Sequence, residues 1–416
     1  MTTLDWSHER ISWPEIVDLA PESEGIDLEA VRRYRQDRVR EQMRINGIDA
    51  VVLSDAVNIR YACGARNMQI FSSRNAPSRY LLLTQDRSIL FEFTGCEHLG
   101  DGFDTIDEVR ASSTASYCAA GPDIATREIA WAAKMAGELR VMVGRGAKIG
   151  LERMNAGVAV ALRDEGFTLA DAQQPVETAR SIKSTEEMKC VRASLQATEI
   201  AVGKLRDAIT PGMTENKLWS VMWQSVIEQN GDYCETRLLN SGRRSNPWFQ
   251  ETSNHVIEPN VLVALDTDVV GCHGYYSDFS RTFHAGPDAP TAEQKTLYSV
   301  SYEQVQNNIG ILHPGMTFRE YSDKAWDIPD RFHKNRYYLS AHGLGMTGEY
   351  PYLYHHADFP DAGYNGEILP GMTLCVESYI GAEDGFEGVK LEEQVLITDD
   401  GVEVLSQFPF EDSLLS

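Results

Sequence analysis

The sequence predicts an α+β protein with an N-terminal α/β domain at residues 27–180, a second domain at 181–416 built on an internal pseudo-twofold repeat, and an arm at 1–26. Three observations predict it. Strand-like apolar runs alternate with amphipathic helical stretches between residues 27 and 180, the pattern of an α/β unit. The phrase Pro-Gly-Met-Thr occurs at Pro211–Thr214 and again at Pro314–Thr317, each time opening a helix. Roughly fifty to sixty residues after each of these, an apolar strand ends in a carboxylate.

Residues 1–26 are proline-punctuated and too poor in apolar side chains to fold alone, so an arm lying on the rest of the protein or on a second subunit is expected, and with it a homodimer. Leu28–Asn46 is an arginine-rich amphipathic helix that Gly47 is placed to end, and Asp49–Asp55 reads as a buried strand. Tyr80–Thr84 and Ser88–Phe93 flank a Gln85-Asp86-Arg87 turn as a hairpin. Ile124–Leu139 is a helix, Ala147–Glu152 a strand, and a short helix follows near Ala159. The domain boundary falls near Arg180, because Ser184-Thr185-Glu186-Glu187 is a capping box opening a long helix toward Ile209, which Pro211-Gly212 stops. The two Pro-Gly-Met-Thr helices run through Trp219 and Trp223, and through Trp326.

With 416 residues, 42% hydrophobic and 24% charged, the composition is that of a soluble globular chain of two or three domains. The 62 acidic against 38 basic residues give a net charge of −24. Such a surface repels phosphate backbones and anionic lipid, so neither nucleic acid nor membrane is expected as a partner. The start lacks a basic stretch followed by an apolar run, and no run of eighteen apolar residues occurs. Seven cysteines without a C-x-x-C spacing suit reduced thiols, so a cytoplasmic location is expected. Cys272 and Cys375 fall near the carboxylates described next and read as core or turn thiols.

In Pro259–Phe283, Val261, Val263 and Leu265 alternate along a strand whose polar end delivers Asp266 and Asp268 on one face. A Gly271–Gly274 turn sends the chain back to Asp278, which faces one of them if the turn holds an odd number of residues. Taken alone, an Asp-x-Asp after an apolar run is an ordinary solvated strand end. A second hairpin of the same design changes that reading. Pro370-Gly371 leads to Glu377, and the return strand Val389–Ile397 sets Glu392 opposite it if the loop spans Gly381–Gly388. Carboxylates gathered in this way repel one another unless they flank a hard cation. His342, followed by a Gly-x-Gly turn between the two hairpins, is in that company a candidate imidazole ligand.

Asp266, Asp278, His342, Glu377 and Glu392 follow the order and approximate spacing of the five metal ligands of the pita-bread metalloenzymes, which include methionine aminopeptidase, prolidase and creatinase. The chain resembles that family, and the segments SDFSRTF and KLEEQVLIT around the second and last ligands agree with it. The resemblance implies a pita-bread second domain and a creatinase- or prolidase-like first domain. Two features depart from the peptidases. Asp268 stands where they carry the glycine of an Asp-x-Gly, and their peptide-binding histidines are missing, since Met346 follows His342-Gly-Leu-Gly and the upstream stretch is Ser245–Gln250.

Both departures, with the phrases TRLLNSGRRSNPWFQE, LVALDTDVVG, LCVE and KLEEQVLITDDG, resemble the dimethylsulfoniopropionate lyases of the DddP type. That resemblance implies a metal-dependent carbon–sulfur lyase forming dimethyl sulfide and acrylate by β-elimination. Asp266, Asp268, Asp278, His342, Glu377 and Glu392 would hold two divalent metal ions, iron first, with manganese, zinc or cobalt as alternatives. Tyr337 matches a substrate-binding tyrosine, and aromatic faces such as Trp248, Tyr337, Tyr350 or Tyr352 would cradle a sulfonium zwitterion. The group's base, an Asp six residues after the metal histidine, is Gly348 here, and Glu349 is expected to replace it, with Tyr337 as the other catalytic candidate. The alternatives are a metal-dependent hydrolase of a small amide, amidine or dipeptide, and a catalytically silent metal-binding relative.

Overall fold

The computed structural model describes residues 25–68 and 78–415, so the arm expected at 1–26 lies outside the described residues save for its last two. The chain divides into two compact units between Arg180 and Ser181.

The first unit is a six-stranded sheet. Its strands are β1 (Ala50–Leu53), β2 (Tyr80–Thr84), β3 (Ser88–Glu92), β4 (Glu108–Ala111), β5 (Lys148–Leu151) and β6 (Thr168–Asp171), in the order β4-β3-β2-β1-β5-β6. Strand alternation sends Ala50, Val52, Tyr80, Leu82, Ile89 and Phe91 into one core with Trp131, Leu139, Val158 and Leu162, carried by the helices Ile124–Met142 and Ala156–Asp164. The first helix runs Leu28–Ile45, capped by the Asp27 carboxylate and followed by Gly47 at φ 60°. The edge strands β4 and β6, and the helices Ala56–Cys63 and Gln173–Arg180, go beyond the sequence-based expectation.

The second unit repeats a helix, helix, hairpin unit. The first copy has the helices Thr185–Ala208 and Glu215–Glu228, then β9 (Val261–Asp266) and β12 (Ser280–Ala285); the second has Ala292–Ile311 and Phe318–Lys324, then β15 (Thr373–Ile380) and β16 (Val389–Ile397). The repeat reaches local detail. Gly212 and Gly315, at φ 97° and 82°, donate to the carbonyls of Ile257 (2.9 Å) and Ile368 (2.8 Å), and Thr214 and Thr317 then cap their helices. The helix expected to pass Trp326 ends at Lys324, because the Asn308 side chain accepts the Trp326 N–H at 2.8 Å and draws the backbone out of the helix.

The remaining strands are β7 (Tyr233–Cys234), β8 (Leu239–Ser241), β10 (Val269–Val270), β11 (Tyr276–Ser277), β13 (Leu339–Leu344), β14 (Gly348–Tyr354) and β17 (Val402–Val404). They complete three sheets, β11-β10-β7, β12-β9-β8 and β14-β13-β15-β16-β17. β12 and β16 belong to different sheets and are joined by side chains. Arg281 donates to the Glu392 carbonyl at 2.8 Å, and the Thr282 hydroxyl bridges the Lys390 backbone. Among the described residues no helix is long and apolar enough to cross a membrane, and all seven cysteines are free thiols.

Just beyond β14, His355 is buried with its ring 4.1 Å from that of His356, and Nδ1 accepts the Ala357 N–H. Burial, together with the neighbouring charges of His356 and Arg336, lowers its pKa from 6.5 to about 4. A depressed pKa gives stability that is complete above the unfolded value and is lost as pH falls through the folded one. Between pH 6.5 and 4 the wild-type urea midpoint should therefore fall more steeply than that of His355→Phe, the loss approaching about 3 kcal/mol.

Candidate metal centre

β9 is buried along its whole length and ends in Asp266, which pairs across the ladder with Ser280. Farther along the same hairpin Val269 pairs with Ser277, so the continuous register sets Asp268 opposite Asp278. Asp268 lies at φ 43°, a conformation that costs a non-glycine residue about 1 kcal/mol or more. Its carboxylate is held by the Tyr276 hydroxyl at 2.5 Å and by Thr236, and its N–H faces Asp278 Oδ1 at 3.4 Å. Asp266, Asp268 and Asp278 each bring a carboxylate oxygen within 4.8 Å of the others.

The second hairpin pairs Glu377 directly with Glu392. β13 lies beside β15 and delivers His342, whose Nδ1–H donates to the Gly343 carbonyl at 2.9 Å and so leaves Nε2 as the outward-facing ring nitrogen. That Nε2 faces Glu392 Oε1 at 3.4 Å, Asp278 Oδ2 at 3.6 Å and Glu377 Oε1 at 3.8 Å. All six candidate donors meet here, each with less than a tenth of its surface exposed.

Sequence reasoning missed one member of this group. Lys390, 1% exposed, places Nζ 2.8 Å from Glu392, 3.0 Å from Glu377 and 3.4 Å from Asp266, and it also reaches the Ser280 hydroxyl. Its signal was strand alternation, which puts residue 390 on the face of residue 392. Ser280 stands between Asp266 (2.6 Å) and Glu392 (2.7 Å), and Gln394 supports Asp278 at its N–H.

Were all five carboxylates ionised, the one ammonium would leave four negative charges in a buried space. The pKa values register the imbalance. Burial raises Asp266 to about 7 and Glu377 to about 8 against the pull of Lys390, and it lifts Asp278 well above the carboxylate range, with Glu392 adding to the rise. Glu392 is held well below that range despite its burial, by Lys390 and His342. Burial alone would lower His342, but the facing Glu392 carboxylate and the charge of Glu377 raise it to about 9. Glu377 Oε1 and Glu392 Oε1 are buried and have no hydrogen-bond partner among the described residues. Oxygen-rich donors, one imidazole and two unpartnered carboxylate oxygens fit divalent metal ions.

Residues 189–399 match the model of metallopeptidase family M24, and residues 35–182 match that of the creatinase/prolidase N-terminal domain. The chain belongs to family M24. Among curated relatives, the dimethylsulfoniopropionate lyase DddP of Roseobacter denitrificans is 34% identical over 94% of this chain and 88% of its own length. The protein of the same name from Roseovarius nubinhibens is 30% identical over the same shares. An Xaa-Pro dipeptidase of Lactobacillus helveticus is 29% identical over 56% of this chain and 61% of its own. Among solved structures, an Xaa-Pro dipeptidase from Bacillus anthracis superposes with a TM-score of 0.72 at 22% identity, covering 91% of this chain and 99% of that one, which establishes the fold.

In this M24 chain Glu349, the residue expected to replace the base, is engaged by a cation. A Cβ at Gly348 would stand 3.9 Å from the His342 ring, so on β14 residue 348 is the one that faces the imidazole. Glu349 instead lies against the bare Cα of Gly345 and forms a buried ion pair with Lys183 at 2.6 Å. Tyr337 is half-buried beside the centre, its ring 5.6 Å from Lys390 Nζ. Tyr352 lies across β14 from His342, the rings 6.2 Å apart. Trp248 is stacked on Tyr379 at 5.8 Å and largely buried, and it reaches Tyr337 through Phe249, which the sequence reading did not single out. Tyr350 packs against Phe318 and Tyr364.

Two substitutions test these assignments. Glu349→Gln leaves Lys183 buried without its carboxylate, so the urea midpoint should drop by the equivalent of about 3 kcal/mol while metal content measured by elemental analysis stays unchanged. Lys390→Met removes the fixed countercharge. The metal-free protein should lose about 3–5 kcal/mol, and added divalent metal should restore more stability to the variant than to wild type in parallel denaturant titrations.

Proposed function

We propose that this chain is a metal-dependent lyase cleaving dimethylsulfoniopropionate to dimethyl sulfide and acrylate by β-elimination. The observation that carries the reading is the likeness to the lyases, 34% identity running over 94% of this chain. Asp266, Asp268, Asp278, His342, Glu377 and Glu392 hold two divalent ions in this reading, supported by the convergence of their donor atoms in one buried space. Iron is the metal it expects. When bound, the ions would stabilise the negative charge that develops on the substrate carboxylate as its neighbouring proton leaves.

The protein's own groups do the rest. The faces of Tyr337 and Tyr352, with Phe249 56% exposed beside Tyr337, receive the sulfonium end. Burial and the charge of Glu377 keep the Tyr337 phenol protonated, so it donates a hydrogen bond to the substrate. With glycine at 348 and Glu349 held by Lys183, the proton acceptor is one of the gathered carboxylates. The proton on the carbon next to the carboxylate passes to that acceptor, its bonding pair forms the double bond, and the carbon–sulfur pair departs on sulfur as neutral dimethyl sulfide. The same reading takes the active form to be a cytoplasmic homodimer, supported by the composition of residues 1–26 and by seven free thiols.

The glycine at 348 favours one rival, a metal-dependent hydrolase of a small amide or dipeptide, which needs no acid on β14. Headspace chromatography separates the two. Metal-loaded protein should release dimethyl sulfide and acrylate in equal amounts, lose that activity on chelation, and fall by about 10²-fold or more as Asp278→Asn. Two ions per chain by elemental analysis and a dimer mass by light scattering are expected of the same preparation. Dipeptide or amide turnover without dimethyl sulfide would establish the rival.

A further inference from the structure

We infer that the Cys375 thiol is a seventh ligand of the metal centre, bound at the ion held by His342. This rests on the metal-centre reading above. The register of β13 on β15 pairs His342 with Cys375, so the two side chains share a face, and alternation along β15 places Glu377 on that face two residues on. Cys375 is fully buried, and its sulfur, the imidazole of His342 and carboxylate oxygens of Asp278 and Glu392 all lie within 4.8 Å of one another. Four donors bound tetrahedrally to one ion at about 2.0–2.3 Å stand about 3.3–3.8 Å apart, so positions within 4.8 Å of one another share an ion after closing by at most about 1.5 Å. A second observation points into the same space. Glu392 Oε1, in a residue 1% exposed, has no hydrogen-bond partner among the described residues and faces His342 Nε2 at 3.4 Å.

The thiol donates to the Asp278 carbonyl at 3.5 Å, a weak S–H hydrogen bond that coordination would replace. As the sulfur–metal bond forms, the S–H proton leaves to solvent, and no oxidant is required. The two positions of the centre then differ in kind. Asp266, Asp268 and Asp278 offer oxygen alone, whereas Asp278, His342, Cys375 and Glu392 offer oxygen, nitrogen and sulfur. The mixed position selects a thiophilic or borderline ion over a hard one.

Cobalt(II) added to metal-stripped full-length protein should give a near-ultraviolet thiolate-to-cobalt charge-transfer band. That band should disappear in Cys375→Ser and Cys375→Ala with cobalt still bound by elemental analysis, and persist in Cys234→Ser, whose thiol lies across from Val269 near Asp268. In competition titrations Cys375→Ser should lose about tenfold or more of its preference for zinc over manganese. Cobalt bound without the band, or a band that survives both Cys375 variants, overturns the thiolate ligand and leaves the metal centre standing. Protein that binds no cobalt overturns both.

Discussion

Five carboxylates buried around one imidazole repel one another, and the architecture of the second unit follows from the need to hold them together. Each half of the repeat contributes a hairpin with acids at matched positions, and the hairpins are fixed by ladders whose registers leave those side chains no other face to occupy. The scaffold carries its own partial answer to the repulsion in Lys390, whose ammonium touches acids from both hairpins. One cation is insufficient. Asp266, Glu377 and Asp278 remain shifted toward protonation, so the polypeptide alone holds the site in an electrostatically unfavourable state that added positive charge relieves.

The backbone carries part of the same load. Asp268 occupies a left-handed conformation that glycine would adopt freely, and its hydrogen bonds to Tyr276 and Thr236 hold it there. An acidic residue kept in a glycine's conformation, with its carboxylate turned toward Asp278, is strain retained where it adds a donor. Arg281 and Thr282 join β12 to β16 by side-chain bonds to backbone, so the two hairpins keep a fixed spacing without a shared ladder.

Where side-chain periodicity and loop length determine geometry, the sequence was informative. Glu377 opposite Glu392 follows from a loop between Gly381 and Gly388, and the strands do end at Ile380 and resume at Val389. The capping box at Ser184 and the recurrent Pro-Gly-Met-Thr turns likewise appear where their hydrogen-bonding chemistry requires. The short edge strands Glu108–Ala111 and Thr168–Asp171 bury no residue fully, so they carry no apolar alternation to read. Lys390 was hidden by its residue type, since lysine ordinarily marks a solvated position. The pairing of Glu349 with Lys183 joins residues 166 positions apart, and no local pattern in the chain encodes it.

Gly348 marks the chemical problem this centre has to solve. Beside the His342 ring β14 offers a glycine at 348 and the Tyr352 ring, and the nearby acid on the same strand is engaged by Lys183. In the proposed elimination the proton acceptor is a carboxylate that also neutralises cations, and a carboxylate next to a cation is a weaker base than a free one. Elimination at such a centre depends less on the strength of its base than on how far the substrate's own proton is acidified by charge placed next to its carboxylate. That requirement accounts for a site that concentrates so many donors and fixes them so firmly, because the activation has to be supplied by the arrangement as a whole and cannot be assigned to one added acid.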